Sequence, residues 1–146
     1  LDTFAPAPSA AFEDAVSAAA SFACSVLTQE SLLDLLFVGA QAHCCTAGRG
    51  LGGAETLLEV LAGVQPCVDK DFEALRLSVL ERHEQLSGCI VILLGLDEPR
   101  RRFLEELRAR GVPFLALIVA VPAASADFPG VRWLTPGKLA EGLARL

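Results

Sequence analysis

The stretch Gly88-Cys89-Ile90-Val91-Ile92-Leu93-Leu94 decides the fold. After the glycine, six residues pass without a polar side chain, and three of them are β-branched. A run that is apolar on both faces is the pattern of a central strand in a parallel sheet, covered by helices above and below. It is far shorter than the roughly 18 to 20 apolar residues that cross a bilayer. No other segment is more hydrophobic, so no membrane span is expected.

Reading outward toward the carboxyl end, Leu96-Asp97-Glu98-Pro99 has the form of a helix entry. Asp97 is placed to cap it, and Pro99 falls in the first turn, where a missing N–H costs little. Phe103, Leu104 and Leu107 face inward, while Arg100, Arg101, Arg102, Arg108 and Arg110 are expected in solvent, and Gly111 supplies the C-cap. Pro113 to Val121 reads as a further buried strand and Val131 to Leu134 as a short one. Thr135-Pro136 then opens a last helix carrying Leu139, Leu143 and Leu146.

Toward the amino end, a helix with Phe72, Leu75, Val79 and Leu80 inward precedes Gly88, with Asp69 as its expected cap. Gln65-Pro66 separates it from a helix with Leu57, Leu58, Leu61 and Val64 on one face. Leu32 to Val38 is a second buried strand; the turn Gly39-Ala40 links it to Gln41 to Thr46, expected as an edge hairpin partner. Ser9 caps an Ala-rich helix whose stripe is Phe12, Val16, Ala19, Ala23, Val26 and Leu27. Strands alternating with helices predict an α/β fold, an open doubly wound, mostly parallel sheet in a single domain. Its ligand-facing loops are residues 2 to 9, 48 to 54, 95 to 99 and 122 to 130.

Composition narrows the function. Of 146 residues 53% are hydrophobic and only 21% charged, so the chain can bury a core and is not disordered. The net charge of −6 offers no basic field for nucleic acid or for an anionic membrane surface. Five cysteines, an odd number without small-domain disulfide spacing, point to free thiols and a reducing, cytoplasmic setting.

The order of elements, an Ala-rich helix, a strand, a tight turn, an edge strand, a Gly-rich loop, two helices, an apolar strand, an acidic loop, a helix and a strand, resembles the von Willebrand factor A-like domain. More narrowly, the segment Phe12 to Ala23 is similar to the first helix of the bacterial domain-of-unknown-function family 58. So are Gly48-Arg49-Gly50 ahead of Leu57 to Ala62, and Ala109-Arg110-Gly111-Val112-Pro113 ahead of the next strand. The resemblance covers about residues 1 to 121. It implies an antiparallel edge strand and a parent protein anchored in the bacterial inner membrane, with this domain in the cytoplasm. It also implies a scaffold role with a protein partner, a MoxR-type AAA+ ATPase, and no enzymatic activity.

The resemblance further implies where a metal site would lie, because A-domains hold Mg²⁺ on an Asp-x-Ser-x-Ser loop, a Thr of the Gly-rich loop and an Asp after the apolar strand. Here Asp2 matches the first Asp, but Phe4 and Pro6 stand at the Ser positions and Ala54 where the Thr belongs. Gly95-Leu96 replaces the last pair, with Asp97 one residue late. Asp2 and Asp97 are therefore the candidate ligands of a degenerate site, since two carboxylates without hydroxyl partners suit the near-octahedral demand of Mg²⁺ poorly. A functional Mg²⁺-dependent adhesion module on the same two residues is the alternative.

Other chemistry is weaker still. Gly50-Leu51-Gly52-Gly53 lacks the Lys-Ser/Thr of a P-loop, and no Gly-x-Ser-x-Gly elbow is present. His43 and Cys45 share a strand face as half of a zinc site that Cys24, Cys67, Cys89 or His83 would have to complete, without CxxC spacing. A small Cys/His enzyme built from the same residues is the reading from a different class. Phe128 to Trp133 is a candidate partner surface, or a cap on the core.

In an A-like sheet Leu1-Asp2 would be the carboxyl end of a central strand lying between the Leu32 and Cys89 strands. The expectation is a gap there, closed by direct pairing of the two flanking strands or by a strand from a second copy of the chain.

Overall fold

The computed structural model describes residues 1–26, 32–48, 53–122 and 128–145. Ser9 opens the first helix as expected: its Oγ accepts from Phe12 N at 3.2 Å and its carbonyl from Glu13 N at 3.0 Å. Helix α1, Ala10–Val26, buries Phe12, Ala15, Ala18, Ala19 and Ala23. Strands β1, Leu32–Val38, and β2, Ala42–Gly48, form an antiparallel hairpin with Phe37 opposite His43. Then come α2, Ala54–Ala62, and α3, Glu73–Leu80. A single 3-10 turn over His83–Gln85 leads into β3, Cys89–Leu93. Helix α4, Glu98–Ala109, β4, Phe114–Val119, β5, Val131–Leu134, and α5, Leu139–Leu143, complete the order.

The result is a mixed α/β fold with a three-stranded parallel sheet, β3-β4-β5, beside the β1-β2 hairpin. Alternation along β3 divides the core. Val91 and Leu93 pack with Leu75, Phe103 and Leu107 of α3 and α4. Ile92 packs on the other face with Phe12, Ala15 and Ala18 of α1. The alanines leave α1 with little side-chain bulk toward the sheet, so the helix can approach it closely. Among the described residues no helix is long and apolar enough to cross a membrane.

Two helix starts differ from expectation. Helix α3 begins at Glu73 after Phe72, with no side-chain cap, and Asp69 is exposed in the preceding loop. Thr135-Pro136 forms a turn rather than a first helical turn: Gly137 takes a left-handed φ of 79° and its N–H reaches Asp14 Oδ2 at 2.6 Å, so α5 starts only at Leu139. At the other end of α4, Gly111 adopts φ 70° and lets Val112 N bond back to Leu107 O at 3.0 Å, the glycine stop that the sequence predicts. Leu27, most of the Gly-rich loop (residues 49–52), residues 123–127 and Leu146 lie outside the described residues.

The expectation that β1 and β3 pair directly is corrected. They belong to separate sheets, and residues 1–3 run between their carboxyl ends. Leu1 N donates to Leu36 O at 2.8 Å, on β1; Asp2 N donates to Ile92 O at 2.8 Å, on β3. Thr3, fully buried, donates its Oγ1 to Val38 O at 2.5 Å and accepts Cys67 N at its carbonyl at 2.7 Å. These bonds clip both strands to one short segment. Helix α1 packs on β3 and β4, and α3 packs on β1, while residues 1–3 occupy the place between the two strands that direct pairing would need.

Candidate functional site

Asp2 sits at the carboxyl ends of β1 and β3, fully buried. Its Oδ1 accepts Phe4 N at 3.0 Å, and its Oδ2 accepts Leu94 N at 3.0 Å and Arg100 Nε at 2.6 Å. Asp97 caps α4, its Oδ1 accepting Arg100 N at 3.2 Å while its Oδ2 accepts a second guanidinium N–H of Arg100 at 2.6 Å. The two carboxylates that the sequence singles out are therefore brought together, and the group between them is the guanidinium of Arg100.

That placement corrects the expectation that Arg100 is solvated. Only 9% of the residue is exposed. The Phe72 ring lies beneath the guanidinium, 4.9 Å from centroid to Cζ, and Phe72 in turn meets Phe4 and Phe103 edge to face. Burial alone would lower the Arg100 pKa, but the hydrogen bond and charge of Asp2, followed by those of Asp97, outweigh it and the pKa is raised. The ion is fixed as a permanent cation. A planar fork with donors on two edges suits such bridging better than an ammonium would.

The signal that finds Arg100 is periodicity. Residues 100, 103, 104 and 107 recur at i, i+3, i+4 and i+7, so Arg100 lies on the same stripe as Phe103, Leu104 and Leu107. Its position on the apolar side, rather than its charge, decides its burial. The remaining arginines behave differently from one another. Arg102 is exposed beside Glu98, whereas Arg108, also exposed, lies over the Phe128 ring at 5.1 Å and donates to Pro129 O at 2.7 Å.

The residues present do not fit a resident Mg²⁺. Both Asp2 oxygens are engaged, the Arg100 cation lies against both carboxylates, and Phe4 is packed on Phe72. Pro6, Ala54, Gly95 and Leu96 bring no side-chain oxygen. Among the described residues no group of three or more His, Cys, Asp or Glu side chains is placed to hold a metal.

The zinc half-site is likewise explained by packing. The His43 ring stacks on its cross-strand partner Phe37 at 4.9 Å and 14°, and Cys45 packs with Leu57 and Ala47. Cys67 is buried with its Sγ 3.5 Å from Gly39 O, Cys24 is exposed, and His83 Nδ1 contacts Leu80 O at 2.7 Å. Phe128 is buried and Trp133 partly buried against the core, matching the reading of this segment as a cap.

No protein-family model, curated protein or solved structure matches the chain.

Proposed function

We propose that the chain is a von Willebrand factor A-like module of the domain-of-unknown-function 58 kind, acting as a non-enzymatic scaffold. Its metal-dependent adhesion site is degenerate. The single observation that carries the reading is the Asp2–Arg100–Asp97 triad, in which a guanidinium stands against the two carboxylates that such a module would use for Mg²⁺. The antiparallel β2, the parallel β3-β4-β5 sheet and the helices on its two faces support the same assignment.

A built-in cation removes the open coordination position through which an adhesion module captures a partner's carboxylate. Recognition then falls to the fixed surface around the triad, independent of divalent ions. The partner is a protein, a MoxR-type AAA+ ATPase, met in the cytoplasm by a parent chain anchored in the bacterial inner membrane. The test is calorimetric titration of the purified chain with the ATPase encoded beside its gene, without nucleotide, in Mg²⁺ and in excess chelator. Equal affinity in both supports the reading; binding that disappears with the chelator, or no binding in either, contradicts it.

A further inference from the structure

Among the described residues, β2 pairs with β1 alone and forms the outer edge of its sheet. An outer strand presents a row of unpaired main-chain donors and acceptors, and soluble proteins blunt such rows with short strands, charges, prolines or bulges. The edge strand β5 of the parallel sheet is blunted in this way: it is four residues long, carries Arg132 and lies between Pro129 and Pro136. Strand β2 has none of these devices. Its seven residues include no Asp, Glu, Lys, Arg or Pro, and they run in register against β1 without a bulge.

The direction of its free groups follows from bonds made by β1. Leu36 O receives Leu1 N and Val38 O receives Thr3 Oγ1, so the main-chain groups of Leu36 and Val38 point away from β2. Bonded pairs alternate along an antiparallel ladder, so Leu33, Leu35 and Phe37 are the residues that bond to Ala47, Cys45 and His43. The N–H and C=O groups of Ala42, Cys44 and Thr46 are left pointing outward. This end of the strand is open, with Ala42, His43 and Cys44 exposed and Cys45 and Thr46 half-buried, whereas Ala47 and Gly48 are buried.

We propose that β2 pairs antiparallel with β2 of a second copy of the chain, about a two-fold axis that passes through the Cys44 pair. This register uses every open outward position and neither of the buried residues. Ala42 faces Thr46 of the other copy, Cys44 faces Cys44, and Thr46 faces Ala42, for about six main-chain bonds. A strand that pairs antiparallel with itself is self-complementary and closes after two copies, so both open edges are consumed together. Charge favours a copy at this place. The chain carries −6 overall, but the strand itself is uncharged, and the acid and the base within electrostatic reach of the Cys44 thiol, Asp34 and Arg82, cancel. Asp34 is also engaged by Thr46 Oγ1 at 2.6 Å. Five residues a side are far fewer than the roughly 20–30 of a standard interface, so the dimer is weak and forms with rising concentration.

The test is sedimentation equilibrium of the chain in reductant, from micromolar to millimolar concentration. Cys44 is the residue to vary, because it is exposed and meets its own copy across the axis. The native chain is expected to show a monomer–dimer equilibrium. Cys44→Lys and Cys44→Glu each set like charges opposite one another and should weaken association by roughly fivefold, while an equal mixture of the two pairs opposite charges and should restore it. Restoration in the mixture separates a broken seam from a damaged fold. In the native chain, rising concentration should slow hydrogen exchange at the amides of Ala42, Cys44 and Thr46 and leave those of His43 and Cys45, already bonded to β1, unchanged. A native chain that stays monomeric, its edge left to an extended segment of some other protein, would overturn the proposal. So would association undiminished in both variants, or a mixture as weak as either variant alone.

Discussion

Arg100 Nε lies 2.6 Å from Asp2 Oδ2 although 98 residues separate them, and this contact joins the start of the chain to the first turn of α4. A buried pair of this kind is expensive to break, because removing one partner leaves the other charge without compensation. Arg100→Ala should cost about 3–5 kcal/mol. Asp97→Ala, removing an exposed carboxylate and a cap, should cost about 1–2 kcal/mol. Urea denaturation of both variants checks the order; equal losses would mean that Asp2 does not depend on Arg100.

Thr3 is the second buried polar residue of the opening segment, and its hydroxyl holds the end of β1 through Val38 O. Thr3→Val keeps the shape and leaves that carbonyl short of a donor, so stability should fall by about 1–3 kcal/mol. The same substitution should speed exchange near the Gly39 turn, where local unfolding would begin, and exchange mass spectrometry reads it.

The pH profile has two limbs. Burial lowers the pKa of the Leu1 ammonium from 8.0, so below 8.0 the unfolded chain binds more protons than the folded one and stability rises with pH up to that value. Burial raises the Cys89 thiol above 9.0, so beyond 9.0 the unfolded chain loses its proton first and stability falls. Urea midpoints measured from about pH 6 to 10 should therefore pass through a maximum between these limbs. In Cys89→Ala the alkaline decline should flatten while the acid limb persists.

Ser9 caps α1 through Phe12 N, at the point where the chain leaves the Ala-Pro-Ala-Pro loop. Ser9→Ala should cost about 1 kcal/mol and Ser9→Asp should preserve stability, since an acceptor at that position is what the helix start requires. Thermal melts of the two variants distinguish a cap from a passive surface residue.

Much of this architecture is legible in the sequence because local chemistry and burial agree. The run from Cys89 gives β3, Asp97 with Pro99 gives the start of α4, and Gly111 gives its end. The misreadings occur where a tertiary partner overrides a local signal. Asp69 looks like a cap, yet α3 starts later at Glu73. Thr135-Pro136 looks like a helix start, yet Gly137 turns the chain toward Asp14. At the site, Asp2 and Asp97 follow from the resemblance to A-domain loops, but the ion between them does not, because charge places Arg100 in solvent whereas the stripe it shares with Phe103, Leu104 and Leu107 places it inside. The separation of β1 from β3 likewise depends on long-range bonds, from Leu1 N to Leu36 O and from Asp2 N to Ile92 O, which no local pattern encodes.

On the proposed function, the Arg100 guanidinium stands where an adhesion module would hold a metal cation. Calorimetric titration of Mn²⁺ and Mg²⁺ into the native chain tests it most directly. The expected result is no saturable heat in the millimolar range or below, unchanged in Asp2→Ala. Stoichiometric binding in the native chain that disappears in Asp2→Ala would contradict it.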